Sequence, residues 1–141
     1  MTPFGEKMRA LRAERSVSLK DMAESLRVSS AYLSALEHGK RGKPSWAFLQ
    51  SVLNYFNLIW DDADALIRLA DLSDPRVVID TTGLSAQATL AANRLAAAIS
   101  SLDENDLDLL MAVIDGKAHG KLGITPNPEM SKKDLPNRNP P

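Results

Sequence analysis

The spacing of hydrophobic residues predicts a chain that is helical almost throughout. In the first half, apolar residues recur every three or four positions over five segments, at about residues 3–15, 18–26, 29–38, 45–57 and 61–71. The last two helices each have an apolar face suited to a shared core, formed by Leu49, Val52, Leu53 and Phe56 and by Ala63, Leu66, Ile67 and Ala70. Trp46 is expected to pack beside this core.

Residues 16–45 contain two short predicted helices joined by a tight polar turn. Ser18, with Asp21 three residues later, forms a capping-box-like start to the first of them. Ser29 is placed to cap the second. Gly39 ends it, because glycine adopts the left-handed conformation without penalty. This is the layout of a helix-turn-helix, whose second helix enters the major groove of DNA.

Positive charge follows the second of these helices. In this docking mode the segments that flank the helix run along the DNA phosphates. We therefore expect phosphate contacts from Ser29, Arg27, His38, Lys40, Arg41 and Lys43. His38 is equally suited to contact a phosphate or to cap helix carbonyls.

A larger, ordered set of residues resembles the Cro/C1-type family, often called the XRE family. The resemblance covers about residues 3–58 and consists of Gly5, Met8, Leu11, Arg12, the run from Ser18 to Ala23, Val28-Ser29, Tyr32-Leu33-Ser34, Leu36-Glu37, Gly39-Lys40-Arg41 and Pro44-Ser45. It implies a five-helix DNA-binding domain that usually works as a dimer on a pseudo-palindromic operator. It also implies that Arg12 and Glu37 form a structural ion pair, and that the bases are faced by Ser30, Ala31, Ser34 and Ala35.

The sequence departs from the family pattern in the turn and at the groove-facing positions. Leu19 stands where the family commonly has a glutamine that donates to a phosphate, so we expect that contact to be missing. Arg27 replaces a usual turn glycine, and it either strains the turn at a positive φ or adds a phosphate contact in a relaxed turn. Small groove-facing residues predict sparse base readout, because alanine contacts only the thymine methyl group. Specificity would then depend on DNA shape, flanking cations or paired half-sites.

Charge is distributed unevenly along the chain, although the net charge is only −1. Residues 1–60 hold nine Lys and Arg against five Asp and Glu, a net +4, and residues 61–141 hold eight against thirteen, a net −5. A basic first half suits phosphate neutralisation, whereas like charge repels an acidic half from DNA. An ordinary solvated surface explains the same distribution, so the interpretation depends on the motif.

Ser73-Asp74-Pro75 marks the predicted end of the first domain, because proline disfavours helix at the preceding residue. We assign residues 1–72 to a helix-turn-helix DNA-binding domain and residues 73–83 to a linker. Within the linker, the β-branched run Val77-Val78-Ile79 is compatible with a small strand but is too short to form a sheet.

Two further amphipathic helices are predicted after Gly83, the second capped by Asp103. Their apolar faces consist of Leu84, Ala88, Ala91, Leu95, Ala98 and Leu102, and of Leu107, Leu110, Met111 and Ile114. Residues 84–117 would cover these faces as a helical hairpin or against a second copy. We favour a homo-oligomer, because a hairpin of this size has too little core of its own. Residues 118–141 are predicted to form a disordered tail.

The sequence thus predicts an all-α, DNA-binding transcriptional regulator, a repressor that acts as a dimer or higher oligomer. One alternative is an antitoxin-like protein whose acidic half binds a partner protein while the first half autoregulates. Another is a regulator whose carboxy-terminal helices bind a small molecule.

Other classes of function find little support in the sequence. An enzyme is not expected, because no grouping of nucleophile, base and orienting residue is visible. Two distant histidines and no cysteine predict neither a metal site nor a cofactor. The lack of cysteines, of a long apolar run and of a signal peptide predicts a cytoplasmic protein associated with the nucleoid.

Overall fold

A computed structural model of the protein describes residues 1–116. This part of the chain is all-α, as predicted, and contains no strand. Its helices are α1 (Pro3–Glu14), α2 (Leu19–Ser25), α3 (Ser30–Glu37), α4 (Trp46–Tyr55), α5 (Trp60–Asp71), α6 (Ala86–Ala98) and α7 (Glu104–Ile114), with a 3-10 turn at Ile99–Ser101. The short strand considered at Val77-Val78-Ile79 does not form, and these side chains are exposed. The tail predicted at residues 118–141 lies outside the described residues.

The chain divides into two compact units, Met1–Val78 and a second that begins at Ile79. Helices α1 to α5 enclose the core of the first unit, which consists of Phe4, Met8, Leu11, Met22, Ala23, Leu33, Leu36, Leu49, Val52, Leu53, Phe56, Leu66 and Ala70. The unit extends beyond residue 72, because the buried Ser73 side chain accepts a 2.9 Å hydrogen bond from the Phe4 N–H and donates to the Leu69 carbonyl. Residues 73–78, assigned from the sequence to the linker, therefore belong to this unit.

Side-chain oxygens cap the starts of most helices in the described chain. The Ser18 hydroxyl accepts from the Asp21 N–H at 3.0 Å, which is the predicted cap of α2. At α7, Asp103 and Asp106 each accept from the other's backbone N–H in a complete capping box. Such caps satisfy N–H groups that have no partner within the helix. The helices start within about two residues of the predicted positions.

Four helices of the first unit end in the same left-handed turn. Ser16, Arg27, Gly39 and Asn57 follow the C-caps with φ of 53°, 58°, 77° and 52°. In each case the next N–H donates to a carbonyl five residues back, as Val28 does to Ala23 at 3.0 Å. This is the Schellman motif. Ser16 and Arg27 are strained there by about 1 kcal/mol each, whereas glycine and asparagine adopt this conformation more readily.

Arg27→Gly is expected to raise the free energy of unfolding by about 1 kcal/mol, because it removes the penalty at a φ of 58° without removing a buried side chain. Of the two turn conformations that the sequence allows at Arg27, the structure has the strained one, with a positive φ. Urea denaturation followed by circular dichroism measures the effect. Arg9→Gly, in the exposed middle of α1, is the matched control and should cost about 1 kcal/mol. Equal destabilisation by both substitutions would contradict the strain at Arg27.

None of the residues predicted for the two apolar faces of the second unit is buried: half of them are exposed and half are half-buried. No residue of α6 is buried, and Leu84 is 58% exposed. Helix α6 ends at Ala98, so Leu102 lies beyond the 3-10 turn. In α7, Met111 and Ile114 are exposed, and the buried residue is Ala112, which the apolar pattern did not single out. None of the helices in residues 1–116 is long and apolar enough to span a membrane.

Candidate nucleic-acid interface

Helix α3 has one buried and one open face. Leu33, Leu36 and Glu37 point into the unit and are buried. The open face consists of the four predicted groove-facing residues, of which Ser30 and Ala31 are exposed and Ser34 and Ala35 are half-buried. Their side chains are all small, so the helix backbone lies close to the surface and can approach a groove closely.

The carboxy-terminal end of α3 is fixed to α1. The buried guanidinium of Arg12 and carboxylate of Glu37 form an ion pair, with a second contact between Nη2 and Oε2 at 3.5 Å. The Glu37 carbonyl accepts two further bonds, from the Thr2 N–H at 3.0 Å and from the Thr2 hydroxyl at 3.2 Å. Gly5 lies directly against that carbonyl. These contacts hold α3 against α1 and so fix the position of its open face.

The cations that follow α3 differ in their surroundings. The Arg41 guanidinium lies 5.7 Å from the ring centre of Tyr32, and that ring meets Phe48 edge to face at 5.9 Å. This cation–π contact holds Arg41 near the open face. Lys40 is exposed. Lys43 forms an ion pair with Asp71 at 3.2 Å, so a phosphate at Lys43 would compete with that carboxylate.

The residues at the two ends of α3 have defined partners. The Ser29 hydroxyl accepts from the Tyr32 N–H at 3.0 Å, which leaves its hydrogen free to donate to an external oxygen. The His38 ring Nδ1 lies 2.8 Å from the Ser34 carbonyl oxygen. The sequence suggests either a phosphate contact or a helix-capping role for His38, and in the structure its ring contacts a helix carbonyl. Arg27 is exposed in the turn before α3.

Three features near this surface were not foreseen. Tyr32 supports Arg41, and Asp71 pairs with Lys43, although neither contact has a signal in the local sequence pattern. Trp46 is not among the residues that pack beside the core, although the sequence predicts it to be. It is 62% exposed and borders a shallow cleft next to Leu49 and Ile67, because it is the first residue of α4 and lies outside the buried face of that helix.

No group of three His, Asp or Glu residues within residues 1–116 is placed to hold a metal ion. The open face of α3 and its flanks offer hydroxyl groups, methyl groups and cations, which bind by hydrogen bonds, apolar contact and charge respectively.

The geometry of α2, the turn and α3 defines a helix-turn-helix. Comparison with known proteins agrees, because residues 3–66 match a family model described as a helix-turn-helix domain. The first unit therefore contains a helix-turn-helix domain, and it is similar to those of XRE/Cro-type regulators.

Three relatives show the same likeness. The chain is 42% identical over 52 residues to the HTH-type transcriptional repressor RghR of Bacillus subtilis, covering 37% of this chain and 38% of the relative. It is 38% identical over 52 residues to the uncharacterized HTH-type transcriptional regulator RghRB of the same organism, covering 37% of each chain. It is 42% identical over 57 residues to the HTH-type transcriptional regulator DdrOP3 of Deinococcus deserti, covering 40% of this chain and 43% of the relative.

These matches span less than half the length of each of these relatives. No solved structure gives a significant match to the chain.

Proposed function

We propose that the protein is a transcriptional regulator whose first unit binds duplex DNA with α3 in the major groove. The observation that supports this most directly is the open face of α3, which lies between the capped start at Ser29 and the cations Lys40 and Arg41. In the helix-turn-helix docking mode, the recognition helix offers such a face to base edges while its flanks hold the backbone. One relative is named a transcriptional repressor, and repression is the form of regulation that we propose here.

The groove-facing residues would read few bases directly. Ser30 and Ser34 can each hydrogen-bond several bases, whereas Ala31 and Ala35 can only contact a thymine methyl group. The phosphates would be held by Lys40, Arg41 and Ser29, with further contacts from Arg27, His38 and Lys43. We therefore propose that much of the affinity comes from charge and that specificity depends on DNA shape and on paired half-sites.

The double substitution Lys40→Ala/Arg41→Ala is expected to reduce DNA affinity roughly tenfold or more on cognate and scrambled duplexes alike, because it removes phosphate contacts. The slope of log K against log salt concentration should become shallower by about two units. Fluorescence anisotropy of a labelled duplex at several salt concentrations measures both. Lys7→Ala/Arg9→Ala removes the same charge from α1 and should leave the slope nearly unchanged. An unaltered slope in the Lys40/Arg41 variant would rule out this docking mode.

The proposal includes a homo-oligomer formed through the second unit. It is supported by α6, none of whose residues is buried, and by exposed apolar side chains of α7 such as Met111 and Ile114. In a dimer, two recognition helices about 34 Å apart would reach successive turns of the major groove. Selection of fragmented genomic DNA by the purified protein tests this. Recovery of sites with two-fold symmetry supports a dimer, and uniform, salt-sensitive recovery contradicts specific regulation.

The same exposed apolar residues support the antitoxin-like alternative, in which another protein covers α6 and α7. Sedimentation separates the two proposals, because a chain that stays monomeric at micromolar concentration would need a different partner for these helices. The small-molecule-responsive regulator remains a prediction that a thermal shift with a metabolite panel tests. Association with the cytoplasmic nucleoid is part of the DNA-binding proposal.

A further inference from the structure

A cleft of about 710 Å³ lies beside the carboxy-terminal end of α3. Its walls come from two segments far apart in sequence, Gly39–Gly42 and Asp74–Arg76. Its volume is within the range of about 300 to 1,000 Å³ typical of ligand sites. Three cations, Lys40, Arg41 and Arg76, line it against one carboxylate, that of Asp74. The cleft thus has an excess of positive charge and is open to solvent.

The position of Arg76 follows from the packing of the residues around it. Pro75 packs against Gly39. A β-carbon placed on Gly39 would lie 3.7 Å from the Pro75 Cβ, which is ordinary van der Waals contact. The Asp74 carboxylate accepts a 2.9 Å hydrogen bond from the Arg76 N–H and so closes a tight turn. The buried Ser73 attaches the start of this segment to α1. The backbone of Arg76 is therefore held beside the cations that follow α3.

We propose that Arg76 is a further phosphate-binding residue and that, with Lys40 and Arg41, it neutralises neighbouring phosphates of the DNA backbone. This inference rests on the proposed DNA-binding function and extends the interface beyond residues 3–66, which match the helix-turn-helix family model. A guanidinium suits this role, because it offers several donors in a planar fork that matches phosphate oxygens. Asp74 does not cancel the charge, since it is one carboxylate against three cations.

The test compares wild-type protein with Arg76→Ala and Arg68→Ala in anisotropy titrations of a labelled duplex across a range of salt. Arg68→Ala is the matched control, because Arg68 is exposed in the same unit on α5. Arg76→Ala should weaken binding roughly three- to tenfold, equally on cognate and scrambled sequences, and should make the salt slope shallower by about one unit. Arg76→Lys should recover the slope, since it restores the charge. Circular dichroism melting verifies that each variant is folded.

The outcomes separate this inference from the proposed function. If the wild-type protein binds no duplex at any salt concentration, both fail. If it binds DNA and Arg76→Ala has the same affinity and slope as Arg68→Ala, the assignment of Arg76 alone is overturned. A free phosphate ester is the other source of the same chemistry. If AMP raises the melting temperature of the wild-type protein but not of Arg76→Ala, and DNA binding is unchanged, the cleft binds a small phosphate ester and the DNA assignment is wrong.

Discussion

Gly5→Ala is expected to destabilise the first unit by at least about 3 kcal/mol. A β-carbon on Gly5 would overlap the Glu37 carbonyl and lie 2.8 Å from the Glu37 Cα. Backbone cannot move aside as the end of a flexible side chain does, so α1 and α3 would have to separate. Separation would also break the bonds that Thr2 makes to the same carbonyl. Because the free energy of unfolding of a small domain is about 5 to 15 kcal/mol, this variant would lose much of its stability.

Urea denaturation followed by circular dichroism measures the loss. Gly42→Ala is the control, because its φ of 73° is also left-handed but no described atom lies within 4 Å of the place its β-carbon would occupy. That variant should lose only about 1 kcal/mol from backbone strain. A Gly5→Ala midpoint close to that of Gly42→Ala would mean that α1 and α3 do not approach as closely as described.

Glu37→Ala is the second substitution with a large expected effect, a loss of about 3 to 5 kcal/mol. The Glu37 side chain is 3% exposed and that of Arg12 is 11% exposed, so truncation would leave a guanidinium desolvated without its partner. The bonds from Thr2 are made to the backbone carbonyl and would survive. The measured loss would therefore report on the ion pair.

The double variant Arg12→Met/Glu37→Leu should be more stable than Glu37→Ala, because apolar side chains of similar volume replace both charges. The free energies of unfolding of the wild-type protein, Arg12→Met, Glu37→Leu and the double variant, all from urea denaturation, complete the cycle. If the double variant loses as much as the two single variants added together, the two side chains do not interact and the buried pair is not what holds α3 to α1.

Features fixed by local chemistry could be predicted from the sequence. Ser18, Ser29 and Asp103 were identified as caps because a short polar side chain before an apolar run satisfies N–H groups within three residues. Helical spacing likewise identified the α4 and α5 residues that face the core, Leu49, Val52 and Leu66 among them. The class of the first unit followed from the ordered set of residues in α1 to α3.

Contacts between distant segments could not be predicted in this way. The Ser73 hydroxyl bonds to Phe4 across 69 positions, and nothing near Ser73 in sequence indicates that bond. Pro75 predicts a domain boundary through its local effect on the backbone, but nothing near it in sequence indicates that it packs on Gly39. Arg76 was therefore assigned to a linker. Ala112 was missed because the larger apolar side chains of α7 indicate a different face of that helix, although Ala112 is its buried residue.

The two tryptophans of the chain, Trp46 and Trp60, are 62% and 82% exposed. Indole emission depends on contact with water, so the fluorescence spectrum of the folded protein should already resemble that of the unfolded chain. Tryptophan fluorescence would then report poorly on the unfolding of this protein. Both indoles can instead report on molecules that bind to the surface of the first unit. A molecule that covers either ring would exclude water from it and so change its emission.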